Sequence, residues 1–161
     1  MNRLLFVCLG NICRSPLMEG VVRAELRKLG RLDRYTLDSA GLGDWHAGEM
    51  PDPRAMAIAR QRGIDISMQR ARGLNQRDFR SFDLLLCADR RNLGELRLRA
   101  GPDAGKCALF LDWTGVQADG EVPDPYTGGA AEFELAYSLI EQGARALVRR
   151  LEPAGRDGDF R

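Results

Sequence analysis

Nine residues near the N-terminus combine a thiol, a glycine, an arginine and a hydroxyl in the string Cys8-Leu9-Gly10-Asn11-Ile12-Cys13-Arg14-Ser15-Pro16. The apolar run Leu4–Val7 before it predicts a buried strand, and Pro16 suits the first turn of a helix. Backbone that curls between a strand and a helix points its amides at an anion. Gly10 permits a positive φ and a close approach, while the fork of Arg14 can hold two phosphate oxygens. Such surroundings favour a thiolate at Cys8, so the string predicts covalent phosphoryl transfer.

Each of these residue types also has an ordinary structural use. A cysteine that ends a buried strand usually packs as a small hydrophobe, and a hydroxyl at Ser15 can cap a helix. A bare Cys-x5-Arg match arises often by chance. The combination of Cys8, Gly10, Arg14 and Ser15 in one loop favours the catalytic interpretation.

The string resembles the phosphate-binding loop of the low-molecular-weight protein-tyrosine phosphatases. Further segments are similar to those of the family in the same order, namely Asp38-Ser39-Ala40-Gly41, Gly43-Asp44-Trp45, Asp52-Pro53-Arg54-Ala55, Phe82-Asp83-Leu84-Leu85 and Val122-Pro123-Asp124-Pro125-Tyr126. The likeness covers roughly residues 1–151. It implies hydrolysis of phosphotyrosine and aryl phosphate monoesters through a phosphocysteine on Cys8, with no cofactor and no metal.

Asp124 is the candidate general acid. It lies between Pro123 and Pro125, which restrict the backbone on both sides. Asp-Pro is also common in ordinary turns, and spacing in the sequence does not show that Asp124 lies near Cys8. The resemblance assigns it as the residue that protonates the leaving oxygen and then activates water.

Aromatic residues in polar loops are candidates for the walls of the substrate slot. Trp45 and Tyr126 flank polar loops rather than apolar runs, which favours substrate contact over core packing. A slot between them fits a flat aryl ester better than phosphoarginine. The expected phosphate- and substrate-binding set is Leu9, Gly10, Asn11, Ile12, Cys13, Ser15, Trp45 and Tyr126.

Several loop side chains have expected supporting roles. The resemblance implies that Asn11 and Ser39 hold the strained loop by hydrogen bonds. Ser15 is expected to donate to the sulfur and ease its departure. Cys13 is either a packed small side chain or a redox partner that forms a disulfide with oxidised Cys8, as some family members do.

The other cysteines and the single histidine do not predict a second site. Four cysteines without paired spacing indicate reduced thiols, and a zinc site is not expected. Cys87 and Cys107 fall in predicted strands and are expected in the core. An arsenate reductase would need them on a mobile segment, and a non-catalytic binding module would lack Cys8 or Asp124. His46 is expected to be inert.

Composition limits the partners. The 24 basic and 23 acidic residues nearly cancel, so no global field attracts nucleic acid or a membrane surface. The arginines between Arg60 and Arg80 are expected on a solvated helix face. No signal peptide is evident. We therefore expect a cytoplasmic protein that is monomeric or weakly self-associating. The resemblance, rather than the composition, implies that it acts on phosphotyrosine proteins, a tyrosine kinase among them, and binds phosphate, vanadate or arsenate.

Strand and helix patterns alternate along the chain. The predicted strands are Leu4–Val7, Tyr35–Asp38, Asp83–Ala88 and Cys107–Leu111. The predicted helices are Pro16–Leu29, a segment from Pro53 that Gly63 ends, Arg90–Arg99 and Ala130–Leu151. This alternation predicts one α/β domain over residues 1–152, with a four-stranded parallel twisted sheet and helices on both faces, flavodoxin-like or Rossmann-like. Residues 153–161 are expected to form a polar C-terminal tail.

Overall fold

The apolar runs of the sequence build one parallel sheet in the computed structural model, which describes residues 1–153. Its four strands lie in the order β2-β1-β3-β4. Their bounds are β1 Arg3–Cys8, β2 Thr36–Gly41, β3 Leu84–Cys87 and β4 Cys107–Leu109. The α/β fold with a four-stranded parallel sheet is therefore confirmed. Residues 154–161 of the predicted tail lie outside the described residues.

Six α-helices occur within residues 1–153, and two short 3-10 turns, Leu32–Arg34 and Gly101–Lys106, connect other elements. The helices are α1 Arg14–Lys28, α2 Pro53–Gln61, α3 Asp78–Ser81, α4 Arg90–Ala100, α5 Phe110–Trp113 and α6 Ala130–Leu151. The helices cover both faces of the sheet. Leu4 and Phe6 pack on the side of α1 and α6, while Leu5 and Val7 pack on the side of α3 and α4. Burial on both faces explains why β1 reads as a continuous apolar run.

The strand order places the ligand crevice at the end of β1. This strand pairs with β2 on one side and with β3 on the other, in parallel register. The chain therefore leaves β1 in one direction and returns on its opposite side, which makes a switch point. The last residue of β1 is Cys8, opposite Gly41 of β2. The sheet thus delivers the thiol to the edge where α/β folds bind ligands.

Three expectations about the elements are wrong in detail. The fourth strand ends at Leu109 rather than Leu111, because Phe110 and Leu111 open the buried helix α5. A short apolar run cannot distinguish a buried strand from a buried helical turn. The first helix begins at Arg14, two residues before the expected Pro16. The second strand runs to Gly41 rather than Asp38.

The arginine-rich segment is not the expected solvated helix face. Arg60 and Arg80 lie in α2 and α3, but the backbone between those helices is irregular. Arg72 in this segment is half-buried and pairs with Asp78 at 3.0 Å and Asp38 at 3.1 Å. The arginine content of this segment alone does not show that its backbone is irregular and folds back onto the domain. Among the described helices, none has both the length and the apolar character to cross a membrane.

Candidate active site

The Cys8 thiol lies at the N-terminus of α1. Its residue is only 3% exposed, at the point where β1 ends and the loop 9–13 begins. The backbone N–H of Ser15, in the first turn of α1, donates to Cys8 Sγ over 3.4 Å. A helix N-terminus and a donated N–H both stabilise negative charge on sulfur.

Asn11 gives the loop its shape. Its backbone has φ 61, the left-handed region, which costs a residue with a Cβ about 1–2 kcal/mol. Its side-chain amide donates to Ser15 Oγ at 2.8 Å and to Ser39 Oγ at 3.0 Å. Its Oδ1 accepts from the backbone N–H of Arg72 at 2.9 Å. Three side-chain bonds thus hold the strained residue in place.

Gly10 does not supply the positive φ that we expected of it. That conformation belongs to Asn11. What Gly10 supplies is room, since a Cβ there would lie 3.2 Å from Cδ2 of His46. The sequence could not distinguish these two uses, because glycine permits both.

The hydroxyl of Ser15 lies within hydrogen-bond distance of the nucleophile. Ser15 Oγ lies 3.0 Å from Cys8 Sγ. Because the Asn11 amide nitrogen can only donate, Ser15 Oγ accepts from it, and the Ser15 proton is free to be donated to a thiolate at Cys8. Ser15 is the second residue of α1, and the cap position belongs to Cys13. The capping alternative for Ser15 is therefore wrong.

Arg14 is buried and tied on one side. Its residue is 2% exposed. Nη1 donates to Asp89 Oδ2 at 2.8 Å and to the carbonyl of Val122 at 2.7 Å. Burial opposes its charge, but the nearby Cys8 sulfur, Asp89 and Asp124 outweigh burial and raise the pKa of Arg14. The guanidinium therefore stays charged and fixed, with its other edge directed toward Asp124.

Asp89 and Val122 are parts of the site that sequence reasoning missed. Asp89 follows β3 and also caps α4 by accepting from Asn92 N at 2.8 Å. Val122 is fully buried, and its N–H donates to the carbonyl of Ala88 at 2.9 Å. An aspartate directly after a strand, at the carboxyl edge of the sheet, was an available signal for the first. Nothing in the sequence marks the carbonyl of Val122.

Asp124 reaches the phosphate loop from a distant part of the chain. Its Oδ2 lies 3.6 Å from Nη2 of Arg14. Its Oδ1 accepts from the backbone N–H of Tyr126 at 3.1 Å. The side chain is 45% exposed, so water can reach it. The structure thus brings the candidate acid to the anion site, which spacing alone could not show.

A cavity of about 140 Å³ joins these groups. It is lined by Cys8, Leu9, Gly10, Ile12, Cys13, Arg14, Trp45, His46, Asp124 and Tyr126. Of the expected binding set, the side chains of Asn11 and Ser15 are not in this lining. They support the loop from behind, because they bond to Ser39 and to the sulfur. His46 is in the lining, although we expected it to be inert, and its Nδ1 lies 3.0 Å from Glu49.

A larger cavity of about 700 Å³ lies elsewhere, against α1 and the segment 63–70. Its lining includes Glu19, Arg23 and Gln69 but no thiol. Volume alone would select this cavity. The smaller one is the candidate active site because it holds the thiol, the arginine and the carboxylate together.

The remaining thiols are buried and protonated. Cys87 lies in β3 and Cys107 in β4, and both are at most 2% exposed, which confirms that they are core residues. Burial, followed by the negative charge of Asp52, raises the pKa of the Cys13 thiol. Within residues 1–153, no three side chains of the kinds that bind metal ions come together in a metal-binding cluster.

The fold and the cavity define a class of protein, the cysteine-dependent phosphatases with an α/β fold. The class narrows when the chain is compared with known families. The model of the family "Low molecular weight phosphotyrosine protein phosphatase" matches residues 3–156. The chain belongs to this family, and it is accordingly a protein-tyrosine phosphatase, a hydrolase.

Known relatives match along nearly the whole chain. The low molecular weight phosphotyrosine protein phosphatase of Sus scrofa is 37% identical over 150 residues, which cover 91% of this chain and 94% of the relative. A protein tyrosine phosphatase structure from Entamoeba histolytica, with HEPES in the active site, has a TM-score of 0.88. It is 33% identical and covers 99% of this chain and 100% of its own. Vibrio vulnificus Wzb in complex with benzylphosphonate has a TM-score of 0.82 at 30% identity, covering 92% and 98%.

Proposed function

We propose that this chain hydrolyses phosphotyrosine in proteins, and aryl phosphate monoesters in general, through a phosphocysteine on Cys8. The observation that carries the proposal is the position of Cys8 Sγ. It lies at the N-terminus of α1, in the same cavity as Arg14 and Asp124. A thiolate, a fixed cation and a carboxylic acid in one cavity supply the three functions that the reaction needs.

In the first step, the phosphate dianion binds to the loop amides and to the free edge of Arg14. Cys8 Sγ attacks phosphorus, the bond to the ester oxygen breaks, and Asp124 gives its proton to that oxygen. The amides and the guanidinium stabilise the charge on the equatorial oxygens. The leaving group departs as a neutral phenol.

In the second step, water attacks the phosphocysteine. Asp124, now ionised, takes a proton from the water, and the phosphorus–sulfur bond breaks. The departing sulfur regains its charge, which the hydroxyl of Ser15 at 3.0 Å stabilises. Inorganic phosphate leaves, and the chain returns to its starting state.

The depth of the cavity favours aryl esters. Cys8 is buried, whereas Trp45 and Tyr126 are 67% and 48% exposed. A flat aryl group spans from the buried sulfur to the exposed rings and packs between them. The benzylphosphonate bound to the Vibrio vulnificus relative is a flat aryl ligand with a phosphonate head, which supports an aryl phosphate over phosphoarginine.

Thiol-dependent reduction of arsenate remains the less favoured alternative. That chemistry needs a relay of further cysteines on a mobile, exposed segment. Cys87 and Cys107 are instead buried in β3 and β4. The family also favours the phosphatase.

We assign the protein to the cytoplasm, where tyrosine-phosphorylated proteins, a tyrosine kinase among them, are its substrates. The four cysteines with no disulfide among the described residues support a reducing compartment. Phosphate, vanadate and arsenate are expected to bind the loop as anions. The near-neutral charge of the chain gives no overall field that would attract nucleic acid. We propose that the protein is a monomer or associates only weakly with itself.

The role of Asp124 can be tested with Asp124→Asn and a series of aryl phosphates. The amide keeps the shape but cannot donate the proton. The loss in kcat/KM should therefore grow with the pKa of the leaving phenol, to about 10²-fold or more for phenyl phosphate. Because kcat/KM reports the steps up to leaving-group departure, it isolates this proton transfer.

Asp119→Asn is the matched control, since Asp119 is an exposed aspartate in the preceding loop. Its losses should be small and equal across the series. If Asp124→Asn lowered kcat/KM equally for all the aryl phosphates, Asp124 would not be the general acid.

A further inference from the structure

Arg54, in the first turn of α2, forms a bidentate pair with Asp52. Its Nε donates to Asp52 Oδ1 at 3.0 Å and its Nη2 to Oδ2 at 2.9 Å. Asp52 is 8% exposed. Burial would raise the pKa of this carboxyl, but the hydrogen bonds and the charge of Arg54 outweigh burial and lower it. The pair therefore remains ionised and fixed in geometry.

The same guanidinium also holds the loop that carries Asp124. Nη2 donates to the carbonyl of Tyr126 at 2.9 Å, and Nη1 donates to the carbonyl of Gly128 at 3.2 Å. Its Cζ lies 5.6 Å from the ring centroid of Tyr126 and 4.6 Å from that of Phe133. One side chain therefore bonds two backbone carbonyls just after Asp124.

These contacts connect the acid loop to the phosphate loop. The N–H of Asp52 donates to the carbonyl of Ile12 at 2.8 Å. A continuous path thus runs from Ile12 through Asp52 and Arg54 to Tyr126, whose N–H bonds to Asp124. Before Asp124, the loop is held by Val122. After Asp124, Arg54 holds it.

We infer that Arg54 is a positioning residue, which holds Asp124 at the distance from the phosphate loop that proton transfer needs. The inference rests on the proposed acid role of Asp124. Arg54 itself is not in the cavity lining, so it acts through the loop rather than on the substrate. Lysine cannot replace it, because a point charge cannot form the bidentate pair and reach two carbonyls as well.

A double-mutant cycle tests the inference. Arg54→Gln should lower kcat/KM for phenyl phosphate by about tenfold, because small displacements of a catalytic group have large effects on rate. For an aryl phosphate whose leaving group needs no proton, the loss should be less than about threefold. In an Asp124→Asn background, Arg54→Gln should cause almost no further loss.

The control is Arg60→Gln, an exposed arginine near the end of the same helix. It should leave kcat/KM unchanged for every ester. Thermal melts show whether each variant folds. If Arg54→Gln does not fold because Asp52 is left unpaired, Arg54→Lys keeps a cation beside Asp52 and serves as the test. It should lower kcat/KM for phenyl phosphate and change it little for the aryl phosphate whose leaving group needs no proton.

Two results would count against the inference, and they differ. If Arg54 variants lose activity equally on all esters, or equally in both backgrounds, Arg54 is a structural residue only and the role of Asp124 stands. If Asp124→Asn itself shows no dependence on the leaving group, the proposed acid is wrong, and the positioning role is overturned with it.

Discussion

The phosphate loop and the aromatic rim belong to the same cavity but are held in different ways. Asn11 and Arg14 are each 2% exposed. The side chain of Asn11 makes three hydrogen bonds, and that of Arg14 makes two and forms an ion pair with Asp124 at 3.6 Å. Trp45 and Tyr126 on the rim are largely exposed. The groups that bind the phosphate are thus fixed by a buried network, while the rings that contact the aryl group are exposed to solvent. We expect substitutions in the loop to affect turnover and stability, and those in the rim to affect substrate binding.

The largest effect should come from Cys8→Ser. A serine hydroxyl does not ionise at neutral pH, and within residues 1–153 the sulfur of Cys8 has only Ser15 as a hydrogen-bond partner, which is not a base. Turnover should therefore fall by about 10⁴-fold or more. The measurement is hydrolysis of p-nitrophenyl phosphate in EDTA. Calorimetry should show that the variant still binds phosphate, since the amides and Arg14 remain. Retention of a tenth of the activity would exclude the covalent mechanism.

Replacements of Asn11 test whether the loop is as tightly held as its bonds suggest. Asn11→Gly keeps the positive φ but removes three hydrogen bonds, which should lower the free energy of unfolding by about 2 kcal/mol. Asn11→Ala should lose about 1 kcal/mol more, because alanine is strained at this φ. Urea unfolding gives both values, and kcat should fall by about tenfold in each. Equal stability of the two variants would show that φ is not maintained in solution.

A smaller, different effect is expected at the rim. Trp45→Ala should raise KM for p-nitrophenyl phosphate by about three- to tenfold, because it removes one aromatic wall. It should leave kcat and the melting temperature almost unchanged. Gly43→Ala sharpens the test, since its Cβ would overlap the indole and displace it. A fall in kcat without a change in KM would contradict the division between loop and rim.

The smallest effect on basal activity should come from Cys13→Ser, which tests the proposed redox role. Peroxide oxidises the Cys8 thiolate to a sulfenic acid, and the Cys13 thiol then displaces water to form a disulfide that a reductant can reopen. Because the pKa of Cys13 is raised, this capture should become faster as the pH rises. The variant should keep most of its activity but lose most of its recovery after peroxide.

Bound phosphate should protect the wild-type protein and the Cys13→Ser variant from peroxide, because it covers Cys8. The measurement is activity after peroxide and then reductant, at several pH values. Complete recovery of Cys13→Ser under the same exposure would show that Cys13 only packs.

The parts of the site that the sequence predicts are those close together in the chain. Cys8 and Arg14 lie in one string, so a strand followed by a helix is enough to make them neighbours. Asp124 needed the resemblance, because its contact with Arg14 crosses 110 residues. Arg54 was missed as a site residue for the same reason, and the partners of Asp89 could not be predicted, although its place after a predicted strand was a usable signal. Each chooses its partner through tertiary packing, which local pattern does not encode.

The strands and helices show the same difference between what local sequence predicts and what tertiary packing decides. Strand β1 and helix α6 were predicted nearly to the residue, because long or strongly apolar patterns fix their type. Helix α4 was also predicted closely, although its sequence is mostly polar. Strand β4 was extended too far into Phe110 and Leu111, where a short apolar run fits either a strand or a buried helical turn. Its true end depends on how α5 packs under α6.

The bonds that fix Asn11 have a consequence for the kinetics of the enzyme. Ser15, Ser39 and Arg72 hold the loop in shape, so binding a dianion requires little ordering at that moment. A loop built in this way does not distinguish the phosphoryl group of an ester from free orthophosphate. The cavity walls around the aryl group, chiefly Trp45 and Tyr126, favour the substrate. Product inhibition is therefore built into the loop, and turnover in a cell depends on the ratio of phosphorylated protein to free orthophosphate.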